Sequence, residues 1–225
     1  MFKVVPDQLR ISEGWVRCGQ CAEIFDAMLR KEVYGTTGPR MTVRVFGGWD
    51  FAARDLNPDW VRTGYARGVP MGGQMKPAPR AGMRPSFLIS ALKDPQGANL
   101  DRVQVVKGWL DAAGATHEKV FDVAWSDPAK RKRAGGKLPA VGDTVDVARA
   151  RYANSIGAAS LSTAWSDPEF DPRVRAFYYL RVIEIPTPTW VAFDALRYKL
   201  KLPGNIPLKS QERAYTSPIW YNPPA

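Results

Sequence analysis

Cys18 and Cys21 are the two cysteines of this chain, and they stand in a C-x-x-C knuckle within "GWVRCGQCAEIFDA", residues 14–27. Thiolates are soft ligands that zinc prefers, and this spacing lets two sulfurs reach one ion from a single turn. Gly19 between them relaxes the backbone. A tetrahedral site wants four donors, and no second knuckle exists. Several readings stay open. His117 and a carboxylate would complete a site only if residue 117 folds back beside residue 18. Two chains could share one zinc, or the knuckle is unmetallated. A thioredoxin-like redox role needs a βαβ setting with a helix starting at the first cysteine, and the upstream segment is too short for it.

Other chemistry is thin. His117, in "GATHEKVF", is the single histidine, so a histidine-rich metal centre is excluded by count and no Ser-His-Asp set assembles. It reads as a turn residue at the mouth of a strand. Asp50, Asp55 and Glu184 are carboxylates able in principle to serve as acid or base, but nothing in their spacing singles them out. "GVPMGGQM" (68–75) is glycine-rich without the strand-loop-helix context of a phosphate cradle, and reads as a turn.

The elements that would position these groups are mostly strands. "AEIFDAMLRKE" (22–32) places Ile24, Phe25, Met28 and Leu29 on one helical face, and "GTTGPR" (35–40) breaks it. Short runs rich in β-branched and aromatic residues follow at 41–46, 86–93, 101–110, 118–125, 143–152, 159–165 and 174–185, separated by turn residues at intervals suited to a sandwich. Residues 174–185 are apolar on both faces and predict a central strand, in which Arg181 and Glu184 need partners. "VAWSDP" (123–128) and "TAWSDP" (163–168) are shared strand ends and turns without further likeness in their flanks.

Residues 49–85 form a long Pro- and Gly-rich excursion with a helical turn near 59–65. "TWVAFDALRYKL" (189–200) spaces Trp190, Phe193, Leu196 and Leu200 helically, with Thr189 as N-cap. "ERAYTSPIWYNPPA" predicts a terminal strand, at a sheet edge because of Pro218. Trp49, Trp60, Trp109, Trp125, Trp165 and Trp190 are assigned to apolar strand or helix contexts in the core.

The chain has 225 residues, 45% of them hydrophobic, enough for a substantial core, and a formal net charge of +10. Residues 1–30 are neutral, with four Lys or Arg against four Asp or Glu, so the whole excess lies beyond them. That neutrality weighs against a knuckle that grips nucleic acid. "KRKRAGGK" (130–137) reads as a solvated hairpin loop, with a nucleic-acid patch as the alternative. No apolar run reaches the length of a membrane helix and the N-terminus lacks a signal-peptide pattern, so the expected place is the cytoplasm, with no membrane partner.

Two resemblances enter through these blocks. "FKVVPDQLRISEGWVRCGQCAEIFDA" (2–27) looks like the second half of a short bacterial zinc ribbon, whose second knuckle matches Cys18 and Cys21 and whose first would lie upstream of Met1. From about residue 24 onward, "DAMLRKEVYGTTGPRMTVRVFGGWDF", "PSFLISALKDPQGANLDRVQVVKGW", "FDPRVRAFYYLRVIEIPTPTW" and "QERAYTSPIWY" resemble the C-terminal part of the domain of unknown function 3604 family. That resemblance implies kinship with PHP-type metal-dependent phosphoesterases. Their metal-binding histidines lie in an N-terminal barrel motif that this chain lacks.

The expectation is therefore a mainly β (α+β) protein. A partial zinc ribbon (1–27) would be followed by a helix and turn from the end of a lost barrel (28–40) and a sandwich-like β domain with irregular insertions and a few short helices (41–225). Functionally it would be a truncated or fused fragment, the accessory β domain of a PHP-like hydrolase family, without catalysis of its own. The alternative is a zinc-ribbon module that contacts protein or nucleic acid. Zinc on Cys18 and Cys21 is the one cofactor suggested. Uncovered apolar faces at Ile24/Phe25/Met28/Leu29 and Val43/Val45 predict self-association.

Overall fold

The computed structural model describes residues 20–224. Helix α1 (Gln20–Leu29) is closed by Lys31 in the left-handed region (φ 58°), with the Glu32 N–H donating to the Ala27 carbonyl at 2.9 Å. The chain then enters strand β1 (Tyr34–Thr36) and continues through β2 (Thr42–Gly48), helix α2 (Trp60–Arg67), β3 (Val69–Pro70), β4 (Gln74–Met75) and β5 (Ser86–Leu92). Strands β6 (Leu100–Leu110), β7 (Thr116–Trp125), β8 (Ser160–Ser166) and β9 (Ala176–Glu184) follow. The last elements are β10 (Thr187–Pro188), helix α3 (Trp190–Tyr198), β11 (Lys209–Ser210), β12 (Arg213–Thr216) and β13 (Ile219–Tyr221).

Two sheets face one another. The smaller has the order β3-β2-β5-β8, antiparallel throughout. The larger is organised on β9, whose strict alternation of buried and half-buried residues gives it one face in the core. One edge of β9 pairs with β6 along its length, and β6 with β7. The other edge is shared end to end by β12 and β13, which pair in turn with β1 and β4. Val43, Val45, Phe87 and Ile89 of the small sheet pack against Val103, Val105, Tyr178, Leu180 and Val182 of the large one. This is the sandwich that the alternation predicts. The opposite face of the small sheet carries Phe46 and Leu88 beneath α2, where Gly64 is needed: a Cβ there would stand 2.3 Å from the Phe46 ring.

Several expectations are corrected. Residues 143–152 are not a strand but an irregular loop with a 3-10 turn at Val147–Arg149. The side chains of Asp143 and Asp146 accept the Val145 and Arg149 N–H groups (2.9 and 3.1 Å), which gives the backbone a local alternative to a ladder. The terminal segment is not an edge. Pro218 interrupts it, and both halves are internal to the large sheet. Thr189 precedes α3, but its hydroxyl donates to the Pro207 carbonyl (3.1 Å) instead of capping the helix. Trp190 is not core: it is 75% exposed. In the basic loop, Gly135 and Gly136 (φ 56° and 77°) turn a tight hairpin bridged at Ala134 and Lys137. Arg131, however, is buried.

Candidate functional site: an aromatic trough and two apolar helices

Among the described residues, those singled out by chemistry fall at separate places, except that Asp50 and Asp55 share Arg67. Cys18 lies outside the described residues, and Cys21 falls in the first turn of α1. His117, on β7, is bonded through Nε2 to Asp111 at 2.8 Å and stacks on Trp109 at 5.2 Å. That contact, with two backbone N–H groups, holds the Asp111 carboxyl below its ordinary range. Asp50 and Asp55 meet on Arg67 (2.9 and 2.8 Å), and Asp55 caps the Ala52 N–H, which lowers its pKa. Among the described residues, no group of three or more His, Cys, Asp or Glu side chains could hold a metal ion.

Glu184 is different. It ends β9 facing inward, is 1% exposed, and its Oε1 has no hydrogen-bond partner among the described residues. Burial, reinforced by the carboxylates of Glu212 and Asp94, pushes its pKa up to about 8, against a smaller opposing pull from Lys93. Arg181, the other polar residue of this strand, donates to Gln104 at 2.7 Å, and Gln104 in turn to Asp122.

Two buried ion pairs tie the sandwich together. Lys107 Nζ lies 2.6 Å from Asp167, donates to the Glu169 carbonyl at 2.7 Å, and sits 5.2 Å from the centre of the Trp109 ring. Tyr178 donates its hydroxyl to the same Asp167 oxygen at 2.8 Å, and burial beside that carboxylate drives the phenol far up. Arg131 binds Asp101 at 2.6 Å and caps the carbonyls of Ser126 and Pro139. The two "WSDP" turns thus part ways: Asp167 is fully buried as a salt-bridge partner, whereas Asp127 is an exposed left-handed turn residue (φ 52°).

The outer face of the large sheet carries an aromatic trough. Phe177 and Tyr179 lie two apart on β9, their rings 6.4 Å apart and within 15° of parallel. Trp220 of β13 leans over Phe177 (5.3 Å, 50°), and Tyr215 of β12 over Tyr179 (6.4 Å, 43°). Gly108, opposite Phe177 across the ladder, makes this possible: a Cβ there would stand 2.3 Å from the ring, so the ring lies down on the strand. A cavity of about 640 Å³ opens over this end of the sheet, bordered also by Glu118, Arg175 and Asn222. The sequence signal was the i, i+2 aromatic spacing of Phe177 and Tyr179 in "FYYL", together with the aromatics of "YTSPIWY" and the mid-strand Gly108.

At the far end of β9, α3 meets the body through Ala192 and turns its large residues outward. Trp190, Phe193, Leu196, Tyr198 and Leu200 are 75%, 50%, 52%, 61% and 51% exposed. On α1, Phe25, Met28 and Leu29 are also exposed. Val43 and Val45, by contrast, are buried in the sandwich, so they form no uncovered face. No helix among the described residues is long and apolar enough to cross a membrane.

The family described as "Protein of unknown function (DUF3604)" matches residues 12–223 of the chain. Nothing matches among curated proteins or solved structures.

Proposed function

The chain belongs to the DUF3604 family, and from that premise we propose that it is an accessory β domain without catalysis of its own, which docks through α3 and α1 onto a PHP-like, metal-dependent hydrolase core. The outward row of α3 carries this reading. A surface helix ordinarily turns its apolar stripe to its own core. Here the small residue Ala192 takes that place, and four large apolar side chains of the helix, Trp190, Phe193, Leu196 and Tyr198, face out, followed by Leu200 just past the Lys199 C-cap. Exposed apolar clusters of this kind mark interaction surfaces. The likeness of the DUF3604 family to PHP-type enzymes, which the sequence resemblance implies, supports the identity of the partner. The ion pairs within the sandwich support a structural role, since its best-buried charges are spent on one another.

Without that partner, the purified chain should self-associate through the same rows. Sedimentation of the wild type against Trp190→Ser/Phe193→Ser/Leu196→Ser tests this. The expected result is a concentration-dependent oligomer that becomes monomeric in the triple variant, with an unchanged melting temperature. A wild-type monomer at all concentrations, or robust phosphate-ester turnover by the chain with added manganese or zinc, would overturn the reading.

A further inference from the structure

We propose that the trough on the outer face of the large sheet is a binding site for a neutral oligosaccharide. This goes beyond the docking reading and does not depend on it, because α3 follows the opposite end of β9.

A sugar ring has one or two apolar C–H faces and an edge of hydroxyls, so its site needs a flat aromatic floor and a rim that both donates and accepts. Phe177 floors the cavity, Gly108 letting its ring lie on the strand, and Tyr179, nearly parallel at 6.4 Å, continues that floor beyond the cavity's own lining. Trp220, 42% exposed, tilts inward as a side wall. Glu118, Arg175 and Asn222 border the cavity; neither Glu118 nor Arg175 is in an ion pair among the described residues, and their charges balance. Glu118 lies close enough to Tyr179 to help raise that phenol, so the acceptor stands beside the floor. The volume of about 640 Å³ falls inside the range of about 300–1,000 Å³ usual for small-molecule sites. A second cavity of about 650 Å³ adjoins it, shares Trp109, Leu110 and Arg175, and adds Asp111, Asp171 and Arg173. A linear ligand would therefore have room to continue.

Stacked bases of a single-stranded nucleic acid would also fit flat rings, but they bring a chain of phosphates that calls for a stripe of cations. The cations about the trough are already engaged: Arg173 is paired with Asp171, Arg181 donates to Gln104, Arg213 donates to the Tyr215 hydroxyl, and the charge of Arg175 is offset by that of Glu118. Both arginines of the 130–137 loop are engaged away from the trough, Arg131 on Asp101 and Arg133 on the Asp122 carbonyl and the Trp125 ring. A neutral polyhydroxylated ligand matches the balanced rim.

Titration calorimetry of the full chain, with parallel tryptophan fluorescence, would use cellohexaose, mannohexaose and chitohexaose as probes and oligothymidylate as the rival. The expected result is saturable binding of at least one hexasaccharide, insensitive to added salt. It should weaken by about tenfold or more in Trp220→Ala and be kept in Trp190→Ala. Glu118→Gln, at an exposed position that cannot unfold the sheet, should weaken it as well. The proposal is overturned if no hexasaccharide binds, if binding survives both trough substitutions, or if oligothymidylate alone binds, in a salt-dependent manner. The sedimentation result does not bear on these outcomes, so either reading can fail without the other.

Discussion

Glu184→Gln should make the protein more stable in alkali and no more stable in acid. A carboxyl whose pKa is raised in the fold binds its proton more tightly folded than unfolded. Its favourable contribution is therefore complete below the unfolded value of 4.5 and is lost as the pH climbs through the folded value of about 8. The gap between those values corresponds to at most about 5 kcal/mol. Local relaxation and water entry reduce this, so a realistic loss for the wild type is about 2–3 kcal/mol between about pH 5 and about pH 9. Glutamine keeps the shape and removes the ionisation. It leaves an amide where Oε1 already lacks a partner, which costs about 1 kcal/mol at low pH. The stability curves of the two proteins should thus cross, with the variant behind near pH 5 and ahead by about 2 kcal/mol near pH 9. Urea unfolding followed by tryptophan fluorescence measures both, and titrating groups remote from Glu184 cancel in the difference, which leaves Glu184 and its coupled neighbours Glu212, Asp94 and Lys93. Parallel curves across this interval would refute the assignment of Glu184 as a buried neutral acid.

Lys107→Met should cost about 3–5 kcal/mol, because Asp167 would be left charged and fully buried; adding Asp167→Asn should restore part of it, read by thermal melts of the single and double variants. Gly108→Ala should lift Phe177 off the strand, at about 1–3 kcal/mol for the overpacking, and change the near-UV circular dichroism of the trough without altering far-UV strand content. Metal analysis should find less than one zinc per monomeric chain, since Cys18 and Cys21 are the only sulfurs of the thiolate kind and His117 is engaged by Asp111 and Trp109; one equivalent, retained through dialysis by an isolated monomer, would contradict this.

What the sequence made legible was periodicity. The apolar character of both faces of residues 174–185 placed β9 at the centre of a sheet, though only one of its faces is fully buried, and the short, regularly spaced strands announced a sandwich. The family resemblance, carried by blocks from about residue 24 to the C-terminus, falls within the matched span, but that span begins at residue 12 and so takes in Cys18 and Cys21, which the sequence reading gives to a separate ribbon. Direction was less legible. The spacing of Trp190, Phe193 and Leu196 identifies an apolar side of a helix but not what that side faces, and here it faces outward. Long-range polar pairing was invisible for a related reason. Lys107 reads as the exposed member of an alternating strand until Asp167, sixty residues on, comes to meet it. Residues 143–152 misled because β-propensity lost to Asp side chains that satisfy nearby backbone groups. Pro218 misled toward an edge position, because the sheet accommodates it by dividing one strand into two internal ones.

That division bears on when the molecule can assemble. One flank of β9 is completed solely by segments near the C-terminus, and Tyr34 finds its ladder neighbour at Thr216. During synthesis, the early strands must wait for nearly the whole polypeptide to leave the ribosome before the large sheet can close. Such non-local pairing makes folding slow. Meanwhile an open backbone edge on β9 stays available to other nascent chains, a window in which a chaperone would matter more than the final stability does.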